Sequence, residues 1–268
     1  MKLSIARPIP ILRDYVRCFQ QRQGRRPTDA IVPMAAHPAP LLQFNFEDPY
    51  LVCRYGSGML ENSPSAVMAG SSTYRKIGLI LGEKVDVFTV HFQPSGLHRL
   101  FGIPMDGLTD QAFDAASVLG HPVTTLEQFL ADDVSFDERV CTATKFLIDR
   151  LAKSDTPDVV ALTANRVFLG RGKFDIPMGA SNAGLSIRQF ERRFDRCIGI
   201  TPRLYAKIVR FYAALLMKLT APERTWTDIT YALGYYDQMH MVRDFRRLAG
   251  ESPTQYVRHF ATIPMPQG

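Results

Sequence analysis

Cysteine is scarce: four residues in 268, at positions 18, 53, 141 and 197, none in a C-x-x-C pair. That spacing disfavours zinc clusters and disulfide frameworks and fits isolated reduced thiols. No apolar run approaches the ~18–20 residues needed to span a bilayer. The opening stretch carries Arg7 and two prolines where a signal peptide needs unbroken apolar sequence, which points to the cytoplasm. There is no P-loop, no G-x-G-x-x-G and no G-x-S-x-G. His91, Ser95 and His98 are close in sequence, but a metal site needs at least three converging ligands. A hydrogen-bonded strand histidine at 91 and a turn or cap serine at 95 are the better readings. His37, beside Pro38, has no evident partner. No catalytic residue, metal or cofactor is assigned.

What is present is ordinary in bulk and uneven in distribution. Hydrophobic residues make up 46% and charged residues 22%, a globular composition, and the length suits one or two domains. The net charge is +6. Residues 1–156 hold 16 Lys/Arg against 17 Asp/Glu, whereas residues 157–268 hold 16 against 9. A small basic domain attached to a near-neutral one suits a polyanion-binding module with a separate partner domain. On charge alone, a solubilising surface explains the excess equally well.

The first half reads as strands. Leu42, Phe44 and Phe46 alternate with polar residues, Tyr55-Gly56-Ser57-Gly58 is a turn, and Val87–Phe92 is β-branched and aromatic. Frequent prolines cut this half into short pieces, as in a small β-barrel or sandwich. Helical periodicity begins at Phe136, with Val140, Ala143, Thr144, Leu147 and Leu151 on one face and Ser135/Glu138 as a capping box. That face could serve as a dimer seam; packing on its own domain is the simpler reading. Residues 153–157 read as a linker, and short helices follow.

The strongest signal is a repeat in the basic part. One copy runs from Gly184 through Ser186, Arg188, Gln189, Phe190, Arg192 and Phe194 to Gly199-Ile200-Thr201-Pro202 and Tyr205. The other runs from Gly234 through Asp237, Gln238, Met239, His240, Met241, Arg243 and Phe245 to Gly250-Glu251-Ser252-Pro253 and Tyr256. Each Gly suits a left-handed position after a short helix, and Ser186 and Asp237 suit caps of the next helix. Phe190 with Phe194, and Met241 with Phe245, make an apolar face; the opposite faces are polar and basic. A short helix, a glycine turn and a capped second helix make a helix-turn-helix, whose second helix enters the major groove.

Over about residues 159–260 the chain resembles the AraC/XylS-type transcriptional regulators, most closely in the second copy from Asp228 to Tyr256. The resemblance implies an α+β chain. Its C-terminal domain (157–268) would be an all-α double helix-turn-helix of about seven helices, with units at about 174–198 and 226–249. A linker helix at about 202–220 would turn Tyr205, Ile208, Val209, Tyr212 and Leu216 inward, capped by Thr201 with Pro202 in its first turn. The N-terminal domain (1–156) more weakly resembles the cupin-like β-barrel sensor domains of such regulators, with flanking helices. Gly179 departs from the family pattern, which has an apolar residue there, and implies a less rigid first unit.

The expected function is sequence-specific binding of double-stranded DNA to control transcription. Arg188, Gln189, Glu191 and Arg192 in the first unit, and Gln238, Met239, His240 and Arg243 in the second, are candidates for base edges. Glu191 is somewhat better read as pairing with a neighbouring Arg. Arg193, Arg196, Arg246 and Arg247 are candidates for phosphates. Trp226 is expected to pack. The family reading adds a small effector, RNA polymerase and a second copy of the chain as partners, and no membrane. Two alternatives stay open: an effector-binding protein with a degenerate, non-DNA-binding domain, and a small N-terminal enzyme with a regulatory C-terminal domain. RNA binding is disfavoured because stacking motifs are missing.

Overall fold

Ten short strands fill the N-terminal part of the chain. They are β1 (Lys2–Ala6), β2 (Val16–Arg25), β3 (Ile31–Met34), β4 (Leu41–Asn45), β5 (Leu51–Arg54), β6 (Leu60–Asn62), β7 (Ala66–Ala69), β8 (Ile77–Ile80), β9 (Lys84–Phe92) and β10 (Ala112–Asp114). In the computed structural model, which describes residues 1–25, 31–152 and 158–259, all strand pairs are antiparallel. They form a six-stranded sheet, β1-β2-β9-β4-β7-β10, and a four-stranded sheet, β3-β8-β5-β6. The turn at 55–57 joins β5 to β6 as its glycines demand.

Period-2 alternation divides the six-stranded sheet. Phe19, Leu42, Phe44, Met68, Phe88 and Val90 are buried in one core. That core is closed by α1 (Gly96–Phe101), α2 (Ala115–Leu119), α3 (His121–Asp132) and α4 (Phe136–Leu151). Helix α4 has the Ser135/Glu138 capping box, and Ala143 and Leu147 are buried against this core, so that face packs within its own domain. Arg139 is buried too, in an ion pair with Asp86 at 2.9 Å. Cross-strand register places Cys18, Gln20 and Arg22 of β2 opposite His91, Thr89 and Val87 of β9, on the other face. Gln20 and Thr89 are buried there as well. The β2–β9 register shifts between Val16 and Cys18, a bulge that sets Arg17 out of the alternation.

Seven helices follow among the described residues: α5 (Val159–Leu169), α6 (Ile176–Asn182), α7 (Ile187–Ile198), α8 (Pro202–Thr220), α9 (Trp226–Ala232), α10 (Gln238–Ala249) and α11 (Pro253–Arg258). Their shared core includes Phe190, Phe194, Tyr205, Ile208, Phe211, Ile229, Met241, Phe245 and Tyr256. It also takes in Ala35 and Ala36 from the segment after β3. The linker expected at 153–157 lies outside the described residues. No described helix is long and apolar enough to cross a membrane.

Candidate nucleic-acid interface

The repeat folds as two copies of one device. Helix α6 ends into Gly184 and helix α9 into Gly234, at φ +65° and +68°, a backbone conformation that a Cβ would strain. Ser186 Oγ then accepts the Gln189 N–H and Asp237 accepts the His240 N–H, which starts α7 and α10. Phe190 and Phe194 bury one face of α7; Met241, Phe245 and Leu248 bury one face of α10. Between the units, α8 spans 19 residues, about 28 Å at 1.5 Å per residue. Thr201 caps it at the Leu204 N–H and Pro202 sits in its first turn. Its buried stripe is Tyr205, Ile208, Val209, Phe211, Ala214 and Leu215. Tyr212 is half-buried against the core, whereas Leu216, expected inward, yields its place to Phe211 and Leu215. Toward the end of the helix the buried stripe is Phe211, Ala214 and Leu215, which turns the inward face off Leu216.

Gly179 does not loosen the first unit through lost packing. A Cβ there would stand 2.7 Å from Cζ of Phe174, so the Phe174 ring already fills the space an apolar side chain would take. Pro177 lies in the first turn of α6, where no intrahelical hydrogen bond is lost, and Asp175 caps that helix.

Arg188, Gln189, Glu191 and Arg192 all lie on the exposed flank of α7, and Gln238, Met239 and Arg243 on that of α10. Gln189 Oε1 is engaged by the Ser186 N–H and hydroxyl at 3.0 and 2.9 Å, which leaves its NH₂ to face outward partners. Gln238 Oε1 accepts from Thr227 at 3.2 Å. Glu191 forms no ion pair among the described residues, so the Arg pairing expected for it is not made. His240 is half-buried, its ring edge-on to Tyr235 at 5.5 Å, and it lines a cleft between the two units. Of the phosphate candidates, Arg196, Arg246 and Arg247 are exposed, while Arg193 is tied to Asp158, the cap of α5, at 2.8 Å. Tyr236 is also exposed, at 90%, in the turn before α10, as is Met178 on α6. Trp226 packs edge-on against Phe245 and donates to Thr254 Oγ1.

The N-terminal part grips this domain near the ends of both second helices. Toward α7, Met105 N–H donates to the Arg196 carbonyl at 2.9 Å and Thr109 Oγ1 to that of Gly199 at 2.6 Å. At α10, Ala36 N–H donates to the Leu248 carbonyl at 2.9 Å. Beyond it Arg75 pairs with Glu251, and Tyr256 Oη accepts from Ala35 N–H and donates to the Pro33 carbonyl, both at 3.0 Å. Ser95, expected in a turn or cap, precedes α1, and its hydroxyl bonds Asn165 of α5 across the same boundary.

Near that boundary sits a basic cluster. Arg17 lies over the rings of Phe168 and Tyr212 at 5.5 and 5.9 Å. His37 is not partnerless: its Nδ1 is 2.8 Å from the Ala39 carbonyl and its ring meets Tyr212 edge-on. Burial, then the Arg17 charge, lowers its pKa to about 4. His91 departs from the expectation of a hydrogen-bonded strand histidine, because its Nδ1 is buried without a partner among the described residues. Burial pushes its pKa down as well.

Residues 180–259 match the family model described as a helix-turn-helix domain, and residues 5–114 match a domain of unknown function, DUF6597. The C-terminal domain is of the AraC/XylS type. The whole chain shares its fold with ToxT from Vibrio cholerae O395, at a TM-score of 0.52 and 12% identity, over 91% of this chain and 99% of that one. A structure of unsaturated fatty acid-bound ToxT from Vibrio cholerae strain SCE256 gives a TM-score of 0.53 at 10% identity, over 92% and 98%. No curated protein matches the chain. The AraC/XylS-type domain makes the chain a DNA-binding transcriptional regulator.

Proposed function

We propose that this regulator reads a two-part duplex site with α7 and α10 and answers to a small effector held by its N-terminal domain. One observation carries the reading. Two helices of a repeat each bury an apolar face and leave exposed a flank of Arg, Gln and Met, the side chains that read guanine, adenine and thymine edges. Arg188, Gln189, Glu191 and Arg192 read the first half-site; Gln238, Met239 and Arg243 read the second, with His240 at its edge. Arg196, Arg246 and Arg247 hold phosphates. The reading assigns no catalytic activity. It places the protein with chromosomal DNA in the cytoplasm, and RNA polymerase and a second copy are the further partners it brings.

The effector is supported by two observations. The shared fold includes ToxT structures described as bound to an unsaturated fatty acid and to a substituted but-3-enoic acid. In this chain Arg17 and Arg22 are half-buried and form no ion pair among the described residues, so an acid would find uncompensated positive charge. Arg17 touches Tyr212 of α8, which connects that cluster to the helix joining the two units. Because the N-terminal part bonds the chain near the ends of both α7 and α10, an effector that shifts 33–37 against 105–109 must break one set of bonds or move one helix.

Selection of bound sites from random duplex DNA, with and without cell extract, tests this. The expected result is two conserved segments about one turn apart, ~34 Å. Failure to enrich any sequence, with affinity independent of salt, would return the degenerate-domain alternative.

A further inference from the structure

A cleft of about 460 Å³ opens between the two units. Its floor is the first half of α8, one wall is the start of α6, and the other is the flank of α10 at His240 and Asp244. Arg203, Lys207 and Arg210 line it from α8, at i, i+4 and i+7 on one helix face.

The two acids in the cleft are already engaged. Asp175 accepts the Met178 N–H at 2.8 Å, and the buried Asp244 pairs with Lys207 at 2.9 Å. The two guanidiniums are not engaged by acids. Arg203 is exposed and forms no ion pair among the described residues. Arg210 lies 5.2 Å over the Tyr235 ring. Its Nε, and the Tyr235 hydroxyl beside it, are buried with no hydrogen-bond partner among the described residues. The cleft therefore holds two guanidiniums whose charge no acid among the described residues compensates. When two helices enter successive major grooves on one side of a duplex, the backbone between those grooves crosses the gap that separates them.

We propose that this cleft is a third DNA contact, in which Arg203 and Arg210 bind backbone phosphates between the two half-sites. The inference rests on the reading of α7 and α10 as the helices that enter DNA. The linker helix is then a binding element as well as a spacer. It takes up on α8 the phosphate role that Arg193 cannot fill while Asp158 holds it.

The test is the salt dependence of binding by the full chain, measured with the selected duplex and with random duplex. Each phosphate contact contributes about 0.9 to the slope of log K against log salt, which is about eightfold in affinity at 0.1 M relative to 1 M. Arg203→Gln and Arg210→Gln should each flatten the slope by about that amount and weaken both duplexes equally. Arg210→Lys should keep the slope, because the charge remains. Ethylation of phosphates between the half-sites should interfere with wild-type binding and not with that of the double Gln variant. Arg203 is exposed, so its variant folds even if Arg210→Gln does not. Wild-type binding with unchanged slopes in the Gln variants overturns the third contact alone. So does saturation of the DNA-free cleft by inorganic phosphate, which would mark a free-anion site. Absence of wild-type DNA binding overturns the underlying reading, and the contact with it.

Discussion

The two copies of the repeat end in equivalent tyrosines with unequal duties, and this predicts a measurable asymmetry. Tyr256 is buried, and its hydroxyl joins the Ala35 N–H and the Pro33 carbonyl at 3.0 Å each. Tyr205 is equally buried, but its hydroxyl makes one longer bond, to the Ala164 carbonyl at 3.3 Å within the same domain. Replacing Tyr256 by Phe keeps the ring and strips a donor and an acceptor from two backbone groups at the domain boundary. Each unsatisfied group costs about 1–3 kcal/mol, so about 2–6 kcal/mol is expected for the two. Tyr205→Phe should cost about 1 kcal/mol. The single tryptophan, Trp226, lies in α9 and reports the C-terminal domain by fluorescence. With a urea slope of about 3 kcal/mol/M for a chain of this size, Tyr256→Phe should lower the midpoint by about 0.7–2 M and Tyr205→Phe by about 0.3 M. Equal shifts, or a larger one for Tyr205→Phe, would show that the Tyr256 hydroxyl does not latch the two domains together.

Three further outcomes follow from single sites. Gly179→Ala improves helix propensity by about 1 kcal/mol, yet its Cβ meets the Phe174 ring. A net loss of melting temperature is expected, and a gain would show that Phe174 moves aside freely. Arg243→Ala should cost about 1–3 kcal/mol in binding and relax preference within the second half-site only, read by repeating the site selection with the variant. His37 titrates near 4 when folded against about 6.5 when unfolded, so the unfolded chain binds the extra proton first. Stability is therefore complete above pH 6.5 and declines toward pH 4 by up to about 1.4 kcal/mol per pH unit. His37→Asn should make that decline shallower in urea titrations at pH 7, 6, 5 and 4; an identical decline would remove His37 as its source.

The helical half was legible because its determinants are local. A hydroxyl or carboxylate at 186 and 237, a glycine at 184 and 234, and a proline at 202 each act within one turn of the chain. The structure starts α7, α10 and α8 at those residues. The exposed flanks were legible too, since amphipathic spacing turns Arg188, Arg192 and Arg243 away from the core by geometry alone. Spacing does not say what a neighbouring element offers. Gly179 looked like a defect because nothing in the sequence reveals that Phe174, five residues earlier, folds into the vacancy. Arg193 looked free because Asp158 is 35 residues away and reaches it only through the packing of α5 on α7.

The boundary between the two parts was the least legible for the same reason. Tyr256 closes the second copy of the repeat, and its hydroxyl bonds the backbone of Pro33 and Ala35 at the end of β3. Their bonds join positions more than 220 residues apart. The basic cluster was equally hidden. The bulge at Val16/Cys18 takes Arg17 out of the strand alternation and onto Tyr212, which no spacing in the sequence signals. A cation without an acid partner at a domain boundary costs stability, a cost that an arriving anion would relieve. In this chain Arg17 and Arg22 meet that description beside the linker helix. On the linker helix, Arg210 and the exposed Arg203 offer positive charge at the cleft between the units.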